Sequence, residues 1–129
     1  MRILVDSHAY VWTKLNDPRL SRKARSILRS DEHDLFFSLA SLWELSINIR
    51  LGRLRTLTSS VAFLHDSLAE DGITILPLRY EEILALEHLD MHHRDPFDRI
   101  LIAQALHHGL MLLTNDADIK LYREVTTIW

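Results

Sequence analysis

The feature that most limits the folds open to this chain is a set of short, wholly apolar runs, each closed by a polar or turn-forming residue. Ile3-Leu4-Val5 stops at Asp6, and Leu110-Met111-Leu112-Leu113 stops at Thr114-Asn115-Asp116. Leu35-Phe36-Phe37 is similar, and Ile73-Thr74-Ile75-Leu76 ends before Pro77. Runs of this length fit strands better than helices, and near-continuous apolar strands are those buried on both faces. Helical segments lie between them. Residues 8–15 form a first helix that Asp17-Pro18 stops, and Ser21 caps a second over 22–30. Residues 38–50 are helical, with Gly52 at the C-terminal end. Ser59 or Ser60 opens a helix to about Glu70, broken by Asp71-Gly72. Residues 80–88 and 96–108 are also helical, the latter ending at Gly109. A short helix over 117–123 and a last strand over 125–128 complete the reading. Strands alternating with helices predict an α/β fold: a three-layer α/β/α sandwich around a parallel sheet of four to five strands.

The chain has 129 residues and shows no repeat or linker, so one domain over 1–129 is expected. It has no cysteine, which excludes disulfides, thiolate zinc sites and cysteine nucleophiles. No apolar run approaches a membrane span, and the N-terminus MRILVDSHAY carries charges where a signal peptide would be apolar. A cytoplasmic protein with no membrane partner is therefore expected. The formal net charge of −3 gives no global attraction to nucleic acid. A nucleic-acid substrate would need a local basic patch or a bound cation.

Four acids stand out against this frame. Asp6 directly follows the first strand, and Asp116 closely follows the fourth. Carboxyl ends of parallel strands are where such sheets place ligand sites, though they are also common places for a solvated turn aspartate. Asp98 begins a helical stripe with Leu101, Ile102, Ala105 and Leu106. Asp95 and Pro96 explain the helix start, but a start alone does not explain an acid aimed along an apolar stripe. Glu44 shares its helical face with Ala40, Ser41, Ile47, Asn48 and Leu51, and with no other charge. If these acids converge, like charges ~5 Å apart repel by about 3 kcal/mol per pair at an effective dielectric of ~20. No lysine or arginine lies on the buried stripes, and Arg99 is expected to point about 100° round the helix from Asp98. Oxygen ligands without cationic partners suit a hard divalent ion, Mg²⁺ or Mn²⁺. The chemistry implied is metal-assisted attack of water on a phosphodiester.

Several further groups receive no role in that chemistry. His88, His92 and His93 lack zinc-like spacing and read as polar loop or helix-end residues. His107-His108 has a helix-dipole explanation. Trp12 and Trp43 read as core or interface. Arg50, Arg53 and Arg55 around Gly52 read either as phosphate contacts or as a solvated helix end. A phosphotransfer enzyme using Asp6 as nucleophile lacks both a second acid two residues on and a glycine-rich phosphate loop.

The chain resembles the PIN-domain ribonucleases, in particular the VapC-like toxins of bacterial toxin–antitoxin pairs. The resemblance runs nearly end to end. It rests on Asp6-Ser7-His8-Ala9 with Trp12, Asp17-Pro18-Arg19-Leu20-Ser21, and Ser41-Leu42-Trp43-Glu44-Leu45 with Leu51-Gly52-Arg53-Leu54. It continues in His93-Arg94-Asp95-Pro96-Phe97-Asp98-Arg99 with Ala103-Gln104-Ala105, and in Leu113-Thr114-Asn115-Asp116. It implies Mg²⁺- or Mn²⁺-dependent endoribonuclease activity on RNA, a cognate antitoxin protein, a homodimer, and operator DNA contacted only through the antitoxin. By position, Asp6, Glu44, Asp98 and Asp116 match the acidic, catalytic metal-binding set. Ser7 and Thr114 match hydroxyl positions that orient carboxylates or water beside it. Asp118 follows Asp116 by two residues, and either could supply the fourth acid; Asp116 lies nearer the strand end. The alternative to a nuclease is a non-catalytic PIN-like module that binds RNA or a partner protein.

Overall fold

A computed structural model describes residues 1–129. Five strands form one sheet: β1 (Arg2–Val5), β2 (Asp34–Ser38), β3 (Thr74–Leu76), β4 (Met111–Leu113) and β5 (Thr127–Ile128). Their order is β3-β2-β1-β4-β5, and every pairing is parallel. Six α-helices connect them: α1 (Ser7–Leu15), α2 (Arg22–Arg29), α3 (Leu39–Arg50), α4 (Val61–Glu70), α5 (Tyr80–Ala85) and α6 (Pro96–His108). Two single 3₁₀ turns, Leu86–His88 and Ile119–Leu121, replace the last turn of the helix expected over 80–88 and most of the one expected over 117–123.

The two-residue period of the strands divides the core. Ile3, Val5, Leu35 and Phe37 face one side, where Tyr10 of α1, Ala24 of α2, Leu45 of α3 and Leu68 of α4 pack on them. Leu4 and Leu112 face the other side, against Leu101, Ile102 and Ala105 of α6 and against Ile119 and Tyr122. The sheet is thus the middle of three layers, as the continuous apolar strands require. Each fully buried side chain of this kind contributes about 1.5–3 kcal/mol of transfer free energy.

Capping fixes where the helices begin. Ser21 accepts from Ala24 N–H at 3.0 Å and Ser38 from Ala40 N–H at 3.1 Å. Asp95 accepts from Phe97 N–H at 2.9 Å and Asp98 N–H at 3.1 Å, with Pro96 at the first helical position. Gly109 closes α6 with φ 63°, a left-handed conformation that favours glycine. The apolar stripe of α6 is shorter than its sequence pattern: Leu101, Ile102 and Ala105 are buried, while Leu106 is exposed.

Sheet order reverses at β1: β2 and β3 lie to one side of it, β4 and β5 to the other. The crevice beyond the carboxyl ends of β1 and β4 is therefore the topological switch point, where open α/β sheets bind ligands.

Candidate metal centre

Asp6 leaves β1 straight into that crevice and is also the N-cap of α1, accepting from His8 N–H at 3.0 Å. Its capping accounts for one oxygen only. The other, Oδ2, accepts from Thr114 Oγ1 at 2.6 Å, so the ends of β1 and β4 are tied together through a buried carboxylate. Thr114 Oγ1 in turn accepts from Asp116 N–H at 3.1 Å. Ser7 is the next link. Its hydroxyl lies 2.8 Å from Glu44 Oε1 of α3 and 3.4 Å from Asp6 Oδ1, so it bridges these two acids.

Asp98 enters from the first turn of α6, directed by the Asp95 cap. It does not bond Asp6 or Glu44. Its Oδ2 lies 2.9 Å from Nε2 of His93, which is also 3.4 Å from Asp116 Oδ1. One donor atom each from His93, Asp98 and Asp116 can be chosen so that all lie within 4.8 Å of one another. The four acids thus fall into two pairs: Ser7 bridges Asp6 and Glu44, and Asp98 and Asp116 both lie close to His93 Nε2, which is in line with neither. Thr114 links the pairs. Asp118 lies outside: it is exposed, and its N–H donates to Asp116 Oδ1 at 2.8 Å.

Charge in this crevice is poorly compensated. Burial pushes the Asp98 carboxyl up, and the charges of Asp6, Asp95 and Asp116 push it further while His93 pulls it down, leaving it at about 7. Burial likewise raises Glu44, against the hydrogen bond from Ser7, with Asp95 and Asp6 adding to the rise. Burial also acts to raise Asp6, but hydrogen bonds from His8 and Thr114 outweigh it and hold the group below its usual range. His8, exposed at the rim, is raised to about 8, chiefly by its hydrogen bond to Asp6.

Arg99 does not neutralise the acids, although it is buried, which the helical wheel alone does not reveal. Its guanidinium donates to the carbonyls of Leu86, Leu89, Asp90 and His93 and lies 3.2 Å from Tyr122 Oη. It holds down the loop that precedes α6. A crevice of carboxylate and hydroxyl oxygens with no lysine or arginine among them suits a hard divalent ion, for which Asp6, Glu44, Asp98 and Asp116 are the available ligands.

Two clefts flank the acids. The larger, about 400 Å³, runs past Ser7, Glu44, Asn48 and Arg53. The smaller, about 200 Å³, is bounded by Asp6, Asn115, Asp116 and Trp129. His8 and Trp12 line both, so Trp12 is a cleft wall as well as a partly buried packing residue. Of the three arginines around Gly52, only Arg53 lines the larger cleft, and Arg19, stacked over Trp12 at 4.6 Å, lines it too. Trp43 is not core. It is 62% exposed and meets Phe97 edge-on at 5.1 Å. The residue that sequence reasoning passed over is His93. It lies in the loop before α6 but is buried against two of the acids, and no periodicity in the sequence marks it.

Comparison with known proteins agrees with this fold. The fold is similar to that of VapBC2 from Rickettsia felis, solved bound to a DNA fragment from their promoter, with TM-score 0.75, 14% identity, and 99% of this chain and 98% of that one covered. It is also similar to VapBC-1 from nontypeable Haemophilus influenzae, with TM-score 0.69, 13% identity, and 99% and 97% covered. FitAcB from Neisseria gonorrhoeae matches with TM-score 0.66, 17% identity, and 98% and 96% covered. No curated protein matches the sequence. The family model described as PIN domain matches residues 3–125, and the chain belongs to the PIN domain family.

Proposed function

We propose that this chain, read as a single nuclease domain, is a Mg²⁺- or Mn²⁺-dependent endoribonuclease and the toxin of a toxin–antitoxin pair. The observation that carries the reading is the uncompensated acid cluster at the switch point, with Asp98 pushed up to about 7 by burial and neighbouring charge. Asp6, Glu44, Asp98 and Asp116 would hold the ion. Bound there, it supplies Lewis acidity and a lowered pKa for a bound water. Ser7 keeps Glu44 facing Asp6, and Thr114 locks Asp6 to the end of β4. The two clefts give a single strand a path on either side of the acids. Arg53 in the larger one offers positive charge that a chain of net charge −3 otherwise withholds from phosphates, while Arg19 there is paired with Asp17.

A protein partner fits the surface. Leu39, Trp43, Ile47 and Leu51 form an exposed apolar stripe along α3, and Val61 and Phe63 of α4 are exposed as well. Such faces mark association surfaces. The similar structures are of named two-component assemblies, VapBC and FitAcB, one of them with promoter DNA. The reading assigns this chain an antitoxin partner and a second copy of itself, and leaves operator DNA to the antitoxin. No helix is long and apolar enough to cross a membrane, and a cytoplasmic setting accords with RNA as substrate.

The test is cleavage of mixed single-stranded RNA by the purified chain with Mn²⁺, with EDTA, and with Asp98→Asn. Wild type should cleave only with metal. The variant should lose at least ~100-fold, as much as or more than the ~10–100-fold typical for residues that merely support a metal ligand. A variant as fast as wild type would refute the site. Metal binding without cleavage would favour a non-catalytic module instead.

A further inference from the structure

His93 is held from three sides. Its backbone N–H donates to Tyr122 Oη at 3.0 Å, its carbonyl accepts from Arg99 at 3.3 Å, and its ring Nδ1 accepts from Asp95 N–H at 3.2 Å. The last contact settles the tautomer. A backbone amide can only donate, so Nδ1 carries a lone pair and the proton of the neutral ring sits on Nε2. That Nε2 is buried, lies close to Asp98 and Asp116, and has no in-line hydrogen-bond partner in the protein. A protonated ring nitrogen has no lone pair to give a cation. The grouping of His93, Asp98 and Asp116 therefore looks like a three-ligand site but is one N–H beside two carboxylates, in close contact with both and in line with neither.

We infer that His93 is a positioning residue: its Nε2–H edge, 2.9 Å from Asp98 Oδ2 and 3.4 Å from Asp116 Oδ1 but in line with neither, draws those two oxygens toward the ring by charge–dipole attraction, so that their remaining oxygens face the divalent ion, and the ring is not itself a ligand. The two carboxylates turn different oxygens toward the ring. Asp98 uses Oδ2 toward His93, while Asp116 uses Oδ1 toward His93 and toward the N–H groups of Asp118 and Ile119. Oδ1 of Asp98 and Oδ2 of Asp116 are left for another partner. The loop is built to present the ring. Arg99 gathers four of its carbonyls, and Tyr122 Oη donates to Asp90 O at 2.6 Å. Each residue of His93-Arg94-Asp95-Pro96-Phe97-Asp98-Arg99 except Arg94 then has a job around one carboxylate: donor, cap, helix start, packing against Trp43, ligand and loop clamp.

This inference rests on the metal reading above, and its test separates the two. In the full chain labelled with ¹⁵N-histidine, the ring nitrogens of His93 should report the Nε2–H tautomer without metal and keep it at saturating Mg²⁺. By calorimetry, His93→Ala should bind Mn²⁺ about 10–100-fold more weakly than wild type. His93→Gln, whose amide N–H can reach the Nε2 position, should recover most of that loss. Backbone anchors to Tyr122 and Arg99 remain in both variants, and matching circular dichroism spectra would confirm that both fold. An Nδ1–H tautomer, or loss of the Nε2 proton on Mg²⁺ binding, would make the ring a ligand and overturn the inference. So would His93→Ala binding Mn²⁺ as tightly as wild type, or His93→Gln binding no better than His93→Ala. A wild-type chain that binds neither ion would instead overturn the metal reading, and the inference with it.

Discussion

Glu82 and Asp98 are both carboxyl groups largely removed from water, and they are shifted in opposite directions. Glu82, at the start of α5, is completely buried. Burial acts to raise it, but Arg79 N–H at 2.8 Å, His108 Nε2 at 2.7 Å and Gln104 Nε2 at 3.2 Å outweigh that and hold it below its usual range. Asp98 is buried among other acids and is pushed up to about 7. The contrast teaches that burial alone says little about function. A buried acid with a full set of donors holds the fold together, whereas one facing its own kind is a candidate cation ligand.

The largest effect expected from that contrast is in stability without metal. Glu82→Ala leaves His108 and Arg79 N–H without their acceptor and Gln104 with Pro77 O alone, and should cost about 3 kcal/mol. Thermal unfolding should show a fall of roughly 10 °C, at ~3–4 °C per kcal/mol for a chain of this size. Asp98→Asn should cost nothing, or stabilise. If both variants melt alike, the contrast is wrong.

A smaller effect lies in pH. Asp98 binds its proton more tightly in the folded chain, at about 7 against a usual 3.8. Its stabilising contribution is full below pH ~4 and is lost as pH rises through about 7. Glu82 has the opposite sign: its contribution is present above its usual 4.5 and is lost as pH falls through its lowered folded value. Denaturant midpoints of the metal-free chain between pH 3 and 8 should therefore show two limbs. Asp98→Asn should flatten the one between pH 4 and 7, and Glu82→Gln the one on the acid side. The smallest effect should come from Asp118→Asn, which leaves stability within ±0.5 kcal/mol and RNA cleavage within ~2-fold, because that carboxylate is exposed and off the cluster. A large loss there would move the fourth acid from Asp116 to Asp118.

Much of the fold was legible because the strands are apolar at nearly every position, which only a two-sided sheet accommodates. The direction of Asp98 could be read from Leu101 and Ile102, since a helix fixes which residues share a face. Glu44 was harder. Its face is buried at Ala40 and Ser41 but exposed at Ile47 and Leu51, so its lack of charged neighbours reflects an exposed apolar stripe as much as the acid site. His93, Arg99 and the Glu82–His108 pair were not legible. His93 and Arg99 are placed by a loop folding over the start of α6, and Glu82 meets His108 across the packing of α5 on α6. His108 is thus a partner for a buried acid, beyond any dipole effect at its helix end. Contacts between elements leave no periodic trace in the sequence, and only the assembled layers reveal them.

The central claim, that the acids at the switch point form a cation site, is tested most directly by melting wild type and Asp98→Asn with and without Mn²⁺. Binding to the folded state alone adds about 2.7 kcal/mol at a ligand concentration 100 times Kd. The account predicts that wild type melts several degrees higher with Mn²⁺. It also predicts that Asp98→Asn melts at or above wild type without metal and scarcely responds to it. An unshifted wild type, or a variant that shifts as far as wild type, would contradict it.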